Sequence, residues 1–183
     1  MFKLIKKLIR ATAATAAIEM GLALPVMMLL VTGGFEMTRY IIIEQKISKT
    51  ASTMPNLVSM LTSINESQMT AIWSAVPHLM DPYNNTADFT VIISSVTYDG
   101  TNKVISWQRS GGGTLAATSK IGTAGGTPTL PSSFTMYAND NVIIGEVFYN
   151  YKPLIAPKIV GAQTIYMVQY YKPRLGSLDV INP

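Results

Sequence analysis

The feature that most limits how this chain can fold is its N-terminal apolar run. From Ala11 to Phe35 the only charged residue is Glu19, within "RATAATAAIEMGLALPVMMLL". A helix of ~20 residues rising 1.5 Å per residue spans the ~30 Å hydrocarbon core of a bilayer, so one crossing is available. A carboxylate in such a helix costs roughly 2.5–3.5 kcal/mol at the bilayer centre, and Glu19 therefore needs a reason.

Charge placement sets the expected orientation. The formal charge is +4, and Lys3, Lys6, Lys7 and Arg10 all precede the apolar run. With those four set aside, the remaining bases balance the 10 acids. The basicity is thus local to the first fourteen residues and does not describe a nucleic-acid surface, so no nucleic acid partner is expected. Basic residues before the run, against a mixed flank of Glu36, Arg39 and Glu44 after it, place the N-terminus inside and the bulk outside.

A secretory signal has the same charge order but carries its small-residue cleavage site after the apolar stretch. Here the small residues, "ATAATAA", come first. Cutting there would remove the charges and leave the helix on the product, which points to a different peptidase.

These residues resemble a family. "AAIEMGLALP" is similar to the "AIEFALVLP" signature of TadE/TadF-like pseudopilins, minor pilins of the tight adherence (Tad, or Flp) type IVc pilus system, with Ala17, Ile18, Glu19, Leu24 and Pro25 matching in place. The family usually has Gly before the cut, where this chain has Ala14, and an aromatic after the Glu, where it has Met20. The resemblance implies cleavage between Ala14 and Thr15 by a prepilin peptidase, which makes Glu19 the fifth residue of the mature helix. It further implies that Glu19 pairs with the amino terminus of a neighbouring subunit, since a desolvated carboxylate is tolerable beside a fixed cation. Glu19 and Pro25 are the expected assembly residues. The competing readings are a tolerated interfacial Glu on a plain anchor and a tolerated proline in a membrane helix.

Beyond Gly33-Gly34 the helical pattern continues. Ile43, Ile47, Ala51, Met54, Val58 and Leu61 recur at steps of three and four and draw an apolar stripe, for packing on the chain's own domain or between subunits. Pro55 is expected to kink or restart this helix near Met54. Ser63-Ile64-Asn65-Glu66 reads as a capping box opening a short helix from Ile64 to Leu79 or Met80, which "MDPYNN" ends.

Phe89 to Tyr98 and "KVISWQR" form a hairpin across Asp99-Gly100-Thr101-Asn102, and Asn141 to Pro153 and Ala162 to Arg174 supply two more strands. The expected fold class is α+β and pilin-like: a long N-terminal transmembrane helix, a short second helix and a four-stranded antiparallel sheet packed on the helix. The expected organisation is a basic prepilin leader at 1–14, a transmembrane part at 15–35, its continuation at 36–62 and an extracytoplasmic α+β domain at 63–183. The Gly/Thr/Ser-rich stretch Ser110 to Pro131 reads as a surface loop of variable conformation, and the residues after Arg174 as a fraying tail. The tyrosines of the last two strands either pack across the sheet or present a binding surface.

Little supports catalysis. The chain has no cysteine and one histidine, so neither a thiolate site nor a metal cluster is expected. "SGGGT" lacks the Gly-Lys-Ser/Thr of a phosphate loop, and His78 near Asp81 has no nucleophile elbow to serve. No enzyme activity, cofactor or metal is expected. The resemblance implies as partners a prepilin peptidase, other pilins and pseudopilins, Tad assembly-platform proteins and membrane lipid. It implies a bacterial inner-membrane location, single-pass with the C-terminal domain outside, or an extracellular pilus. The alternative is a single-pass envelope binding or scaffold protein that is never processed.

Overall fold

A computed structural model describes residues 2–155 and 157–182, and their side chains except those of 2–5 and 8–13. Lys3 and Arg10 of the basic leader, together with Met1, therefore lie outside the described side chains. The elements in chain order are helix α1 (Phe2–Ser59), a two-residue strand β1 (Ile64–Asn65), helix α2 (Glu66–Met80), strands β2 (Phe89–Tyr98), β3 (Lys103–Gly111), β4 (Asp140–Tyr151) and β5 (Gln163–Tyr171), and a two-residue strand β6 (Ile181–Asn182). This is the α+β architecture expected from the sequence: two helices and a four-stranded antiparallel sheet.

The chain divides into two compact units. One comprises Met1–Tyr40 and Pro153–Gly161, the other Ile41–Lys152 and Ala162–Pro183.

In the larger unit the sheet order is β3-β2-β4-β5. Strands β2 and β4 pair without interruption from Phe89↔Tyr149 to Tyr98↔Asp140, whereas β2 and β3 slip by one residue between Ser95 and Val96. The two central strands are buried almost throughout, including polar Ser94, Ser95 and Glu146, because both of their faces are covered. On one face lies the stripe of α1: Ile43, Ile47, Ala51, Met54 and Val58 are fully buried. Gly145 sets the approach of this helix, since a Cβ there would lie 2.6 Å from Cγ of Pro55. On the other face Val96, Ile105, Val142 and Ile144 pack with Ile121 and Met136 from the β3–β4 connection. Of the tyrosines, Tyr149 and Tyr151 are buried and those of β5 are half-buried, with the Phe148 and Tyr166 rings 5.0 Å apart across β4 and β5.

Four expectations are corrected. Helix α1 does not restart near Met54 but runs through Pro55 to Ser59. Proline so close to the helix end sacrifices one backbone bond, and its ring fills the space that Gly145 leaves open.

The capping box is displaced by two residues. Asn65, not Ser63, is the N-cap, and it exchanges hydrogen bonds with Gln68, not Glu66: Gln68 N donates to Asn65 Oδ1 at 2.8 Å and Asn65 N to Gln68 Oε1 at 3.0 Å. The cause is the parallel bridge of Ile64–Asn65 with Ile181–Asn182, which holds both residues extended and delays the helix to Glu66.

The Gly-rich stretch is a docked cover, not a variable loop. Ile121 is buried, Gly125 N donates to Ile105 O at 2.8 Å, and Ile105 N donates to Gly126 O at 3.0 Å, so the stretch shields the outer edge of β3. Glycine is required at Gly113, where a Cβ would stand 2.0 Å from Phe89 O.

The tail is anchored as well. Leu178 is buried, its carbonyl accepts from Trp107 Nε1 and from Ser95 Oγ, both at 2.8 Å, and its N–H donates to Asn141 Oδ1 at 3.1 Å.

Candidate assembly site on the N-terminal helix

The four residues singled out by sequence all lie on α1, and all four are exposed. Ala14 and Thr15 are consecutive on the helix. Thr15 and Glu19 are four residues apart, one turn, which puts them on the same face about 6 Å apart along the axis. Around them the helix is bare: from Ile18 to Val31 every large apolar side chain is exposed, including Leu22 at 72%. Such a surface is costly in water and at home in lipid. This segment suits membrane anchoring, with mean hydropathy 1.9 over its most apolar window and none of that window buried.

Glu19 has no hydrogen-bond or ion-pair partner among the described residues. Pro25 lies six residues on, toward the opposite side of the helix, so the structure does not bring it together with Glu19. Its missing N–H leaves the carbonyl of Gly21 without the usual helical donor, and Gly21 has open space around it. The helix continues through this point regardless.

A second carboxylate on the same helix behaves differently and was not singled out by sequence. Glu36 is fully buried in the smaller unit. Leu154 N donates to both of its carboxylate oxygens at 3.1 Å, Ile155 N donates to Oε2 at 2.8 Å, and Arg39 Nη1 lies 3.4 Å from Oε1. One turn earlier, Gly33 leaves room for Ile159, whose Cδ1 would be 2.9 Å from an added Cβ. Gly33 and Glu36 thus form a short seat on the helix for the segment 153–161. The spacing of Gly33 and Glu36 at i and i+3 is a sequence signal for one helix face, but the backbone donors lie 118 and 119 positions away and carry no signature.

The larger unit holds a second buried carboxylate of this kind. Glu146, fully buried on β4, accepts from Ser119 Oγ, from Lys120 N at 2.9 Å and from the Tyr166 hydroxyl at 2.9 Å. Burial, and then the charge of Glu146, push the Tyr166 phenol well above its usual range. Burial and the same carboxylate raise Tyr170. These groups fasten the β3–β4 connection to the sheet within the larger unit.

Comparison with known proteins bears on the helix alone. A family model described as TadE-like protein matches residues 14–53. The resemblance read from "AAIEMGLALP" therefore stands. The TadE-like segment begins at Ala14, contains Glu19, Pro25 and Glu36, and ends within the buried stripe of α1. No curated protein and no solved structure matches the chain.

Proposed function

We propose that this chain is a TadE-like minor pilin that takes part in assembling a Tad (Flp) pilus, and through it in surface adhesion and biofilm formation. One observation carries the reading: within a TadE-like segment that starts at residue 14, Thr15 and Glu19 share one exposed helix face a single turn apart. In this reading residues 1–14 are a leader, 15–35 span the inner membrane with the N-terminus in the cytoplasm, 36–62 carry the rest of the helix, which ends at Ser59, and 63–183 form the extracytoplasmic domain. A prepilin peptidase cuts between Ala14 and Thr15. The new amino group of one subunit then compensates Glu19 of the next, and the exposed apolar surface passes from lipid contact to contact with other pilins and the assembly platform. No catalytic step is assigned to the chain.

The test is the N-terminal residue of protein recovered from native membranes and from sheared surface material. A start at Thr15 supports the reading. A start at Met1 in cells that contain the peptidase overturns it and leaves a plain single-pass anchor that binds or scaffolds envelope proteins.

A further inference from the structure

The segment 153–161, "PLIAPKIVG", is seated on the helix at the end of the apolar stretch, yet it turns most of its own apolar side chains outward. Leu154 is 67% exposed, Ile155 49% and Ile159 45%, whereas Val160 is buried. Lys158 is exposed among them. The backbone of the same segment is held firmly by Glu36 through the Leu154 and Ile155 amides. A loop that is pinned by a buried carboxylate and still displays three large aliphatic residues has a surface without a partner inside its own unit.

The place of the pin identifies what covers that surface. Residues 15–35 as a helix measure about 31 Å, the thickness of the hydrocarbon core. Gly33 and Glu36 bracket the outer end of that length. Ile159 packs at the level of Gly33, and Leu154 and Ile155 are tied at the level of Glu36, about one turn further out. The exposed aliphatics therefore sit at the boundary of acyl chains and headgroups. The helix itself continues the apolar surface there, since Phe35 and Met37 are also exposed. A lysine among aliphatics suits this depth, because its stem lies along the acyl region while its ammonium reaches lipid phosphates.

We propose that the segment 153–161 is a second membrane-contacting element, an interfacial foot that inserts Leu154, Ile155 and Ile159 into the leaflet where the spanning helix ends. The proposal rests on residues 15–35 spanning the bilayer. Glu36 is the residue that makes it workable. A loop that dips toward the acyl chains loses water from its amides, and the Glu36 carboxylate takes two of them.

The chain has no cysteine, so single cysteines can be introduced for labelling without removing native ones. Leu154→Cys, Ile159→Cys, Leu24→Cys and Thr101→Cys variants of the full chain would be labelled with the fluorophore NBD. They would be reconstituted into phosphatidylcholine–phosphatidylglycerol vesicles carrying a doxyl quencher either near the headgroup or deep in the acyl chain. The expected result is loss of emission at positions 154 and 159 that is greater with the shallow quencher. Position 24 should respond to the deep quencher, and position 101 to neither. Quenching at 24 without quenching at 154 and 159 overturns the foot while leaving the span intact. No quenching at 24 removes the span and the foot with it. A blue shift at 154 without quenching means that protein, for instance a second copy of the chain, covers the surface, and this also overturns the proposal. Should Ile159→Cys disturb its packing beside Gly33, Leu154→Cys still decides the matter, because its side chain is the most exposed of the three.

Discussion

Replacing Glu36 by alanine should release the segment 153–161 and leave the sheet intact. Three N–H···O contacts from two backbone amides end on this carboxylate, at 3.1, 3.1 and 2.8 Å, and its side chain is fully buried. A hydrogen bond to a charged group contributes about 1.5–3 kcal/mol, so the two amides together stand to lose about 3–6 kcal/mol. The segment can relieve part of that by opening to water, and the readable loss is bounded by its own local stability. At 1.4 kcal/mol per tenfold, a loss of about 3 kcal/mol is a ~100-fold fall in amide protection.

Hydrogen exchange followed by mass spectrometry, on the full chain in lipid nanodiscs, reads this directly. Peptides covering 152–161 should lose about two decades of protection, while peptides from β2 and β4 keep theirs. Glu36→Gln retains one carbonyl oxygen as an acceptor. Since Leu154 N and Ile155 N both reach Oε2, that variant should lose only about tenfold. Wild-type exchange at 154 and 155 in the alanine variant would refute the reasoning. So would an equal loss across β2 and β4, which would show that Glu36 acts on global stability and not on this one segment.

Two further outcomes test the larger unit, with Gly161 of the smaller unit as a control. Gly145→Ala forces a Cβ to 2.6 Å from the rigid Pro55 ring and should cost about 1–3 kcal/mol, lowering Tm by roughly 2–4 °C per kcal/mol. Gly161→Ala, with nothing within 4 Å, should leave Tm unchanged or slightly raised; calorimetry of both variants in detergent checks the contrast. Tyr166 has a raised folded pKa, so its contribution is fully present below the unfolded value near 10 and is lost as the pH climbs beyond it, because the unfolded chain sheds the proton first. Tyr166→Phe should therefore lower stability at neutral pH by removing a donor from buried Glu146, yet flatten the decline above pH ~10. Denaturant midpoints measured on both sides of that pH would show an unchanged alkaline slope if this account is wrong.

What the sequence revealed and what it concealed divide along a physical line. The stripe from Ile43 to Val58 and the strand from Phe89 to Tyr98 were legible because a helix or strand that buries one or both faces writes that burial into its own residues. The cover at Ile121, the tail at Leu178 and the seat at Glu36 were not, because each depends on backbone groups meeting side chains far along the chain. Leu178 O is held from 71 and 83 positions away, and Glu36 from 118 and 119. Composition misled in the same places: glycine and threonine between 110 and 131 looked too poor in apolar surface to order, but the stretch is fastened by hydrogen bonds to β3 and Glu146.

The candidate site separates in the same way, and the contrast between its two carboxylates is instructive. Glu19 and Glu36 stand on one helix, each interrupting or ending an apolar stretch. For Glu36 the chain itself supplies the compensation, two amides and a guanidinium, and the residue is buried. For Glu19 no described residue does so, and the residue is exposed on a surface suited to lipid. An uncompensated carboxylate there is costly, so whatever offsets it comes from beyond the described fold: water and headgroups at the membrane edge, or a cation on another molecule. Removing the leader would create such a cation on every copy, one helical turn from Glu19 along the axis. An i, i+4 spacing would let that amine meet the Glu19 of its own helix or, across a subunit contact, that of a neighbour. The motif points to Glu19; the described fold leaves its compensation to solvent and headgroups or to a cation outside it.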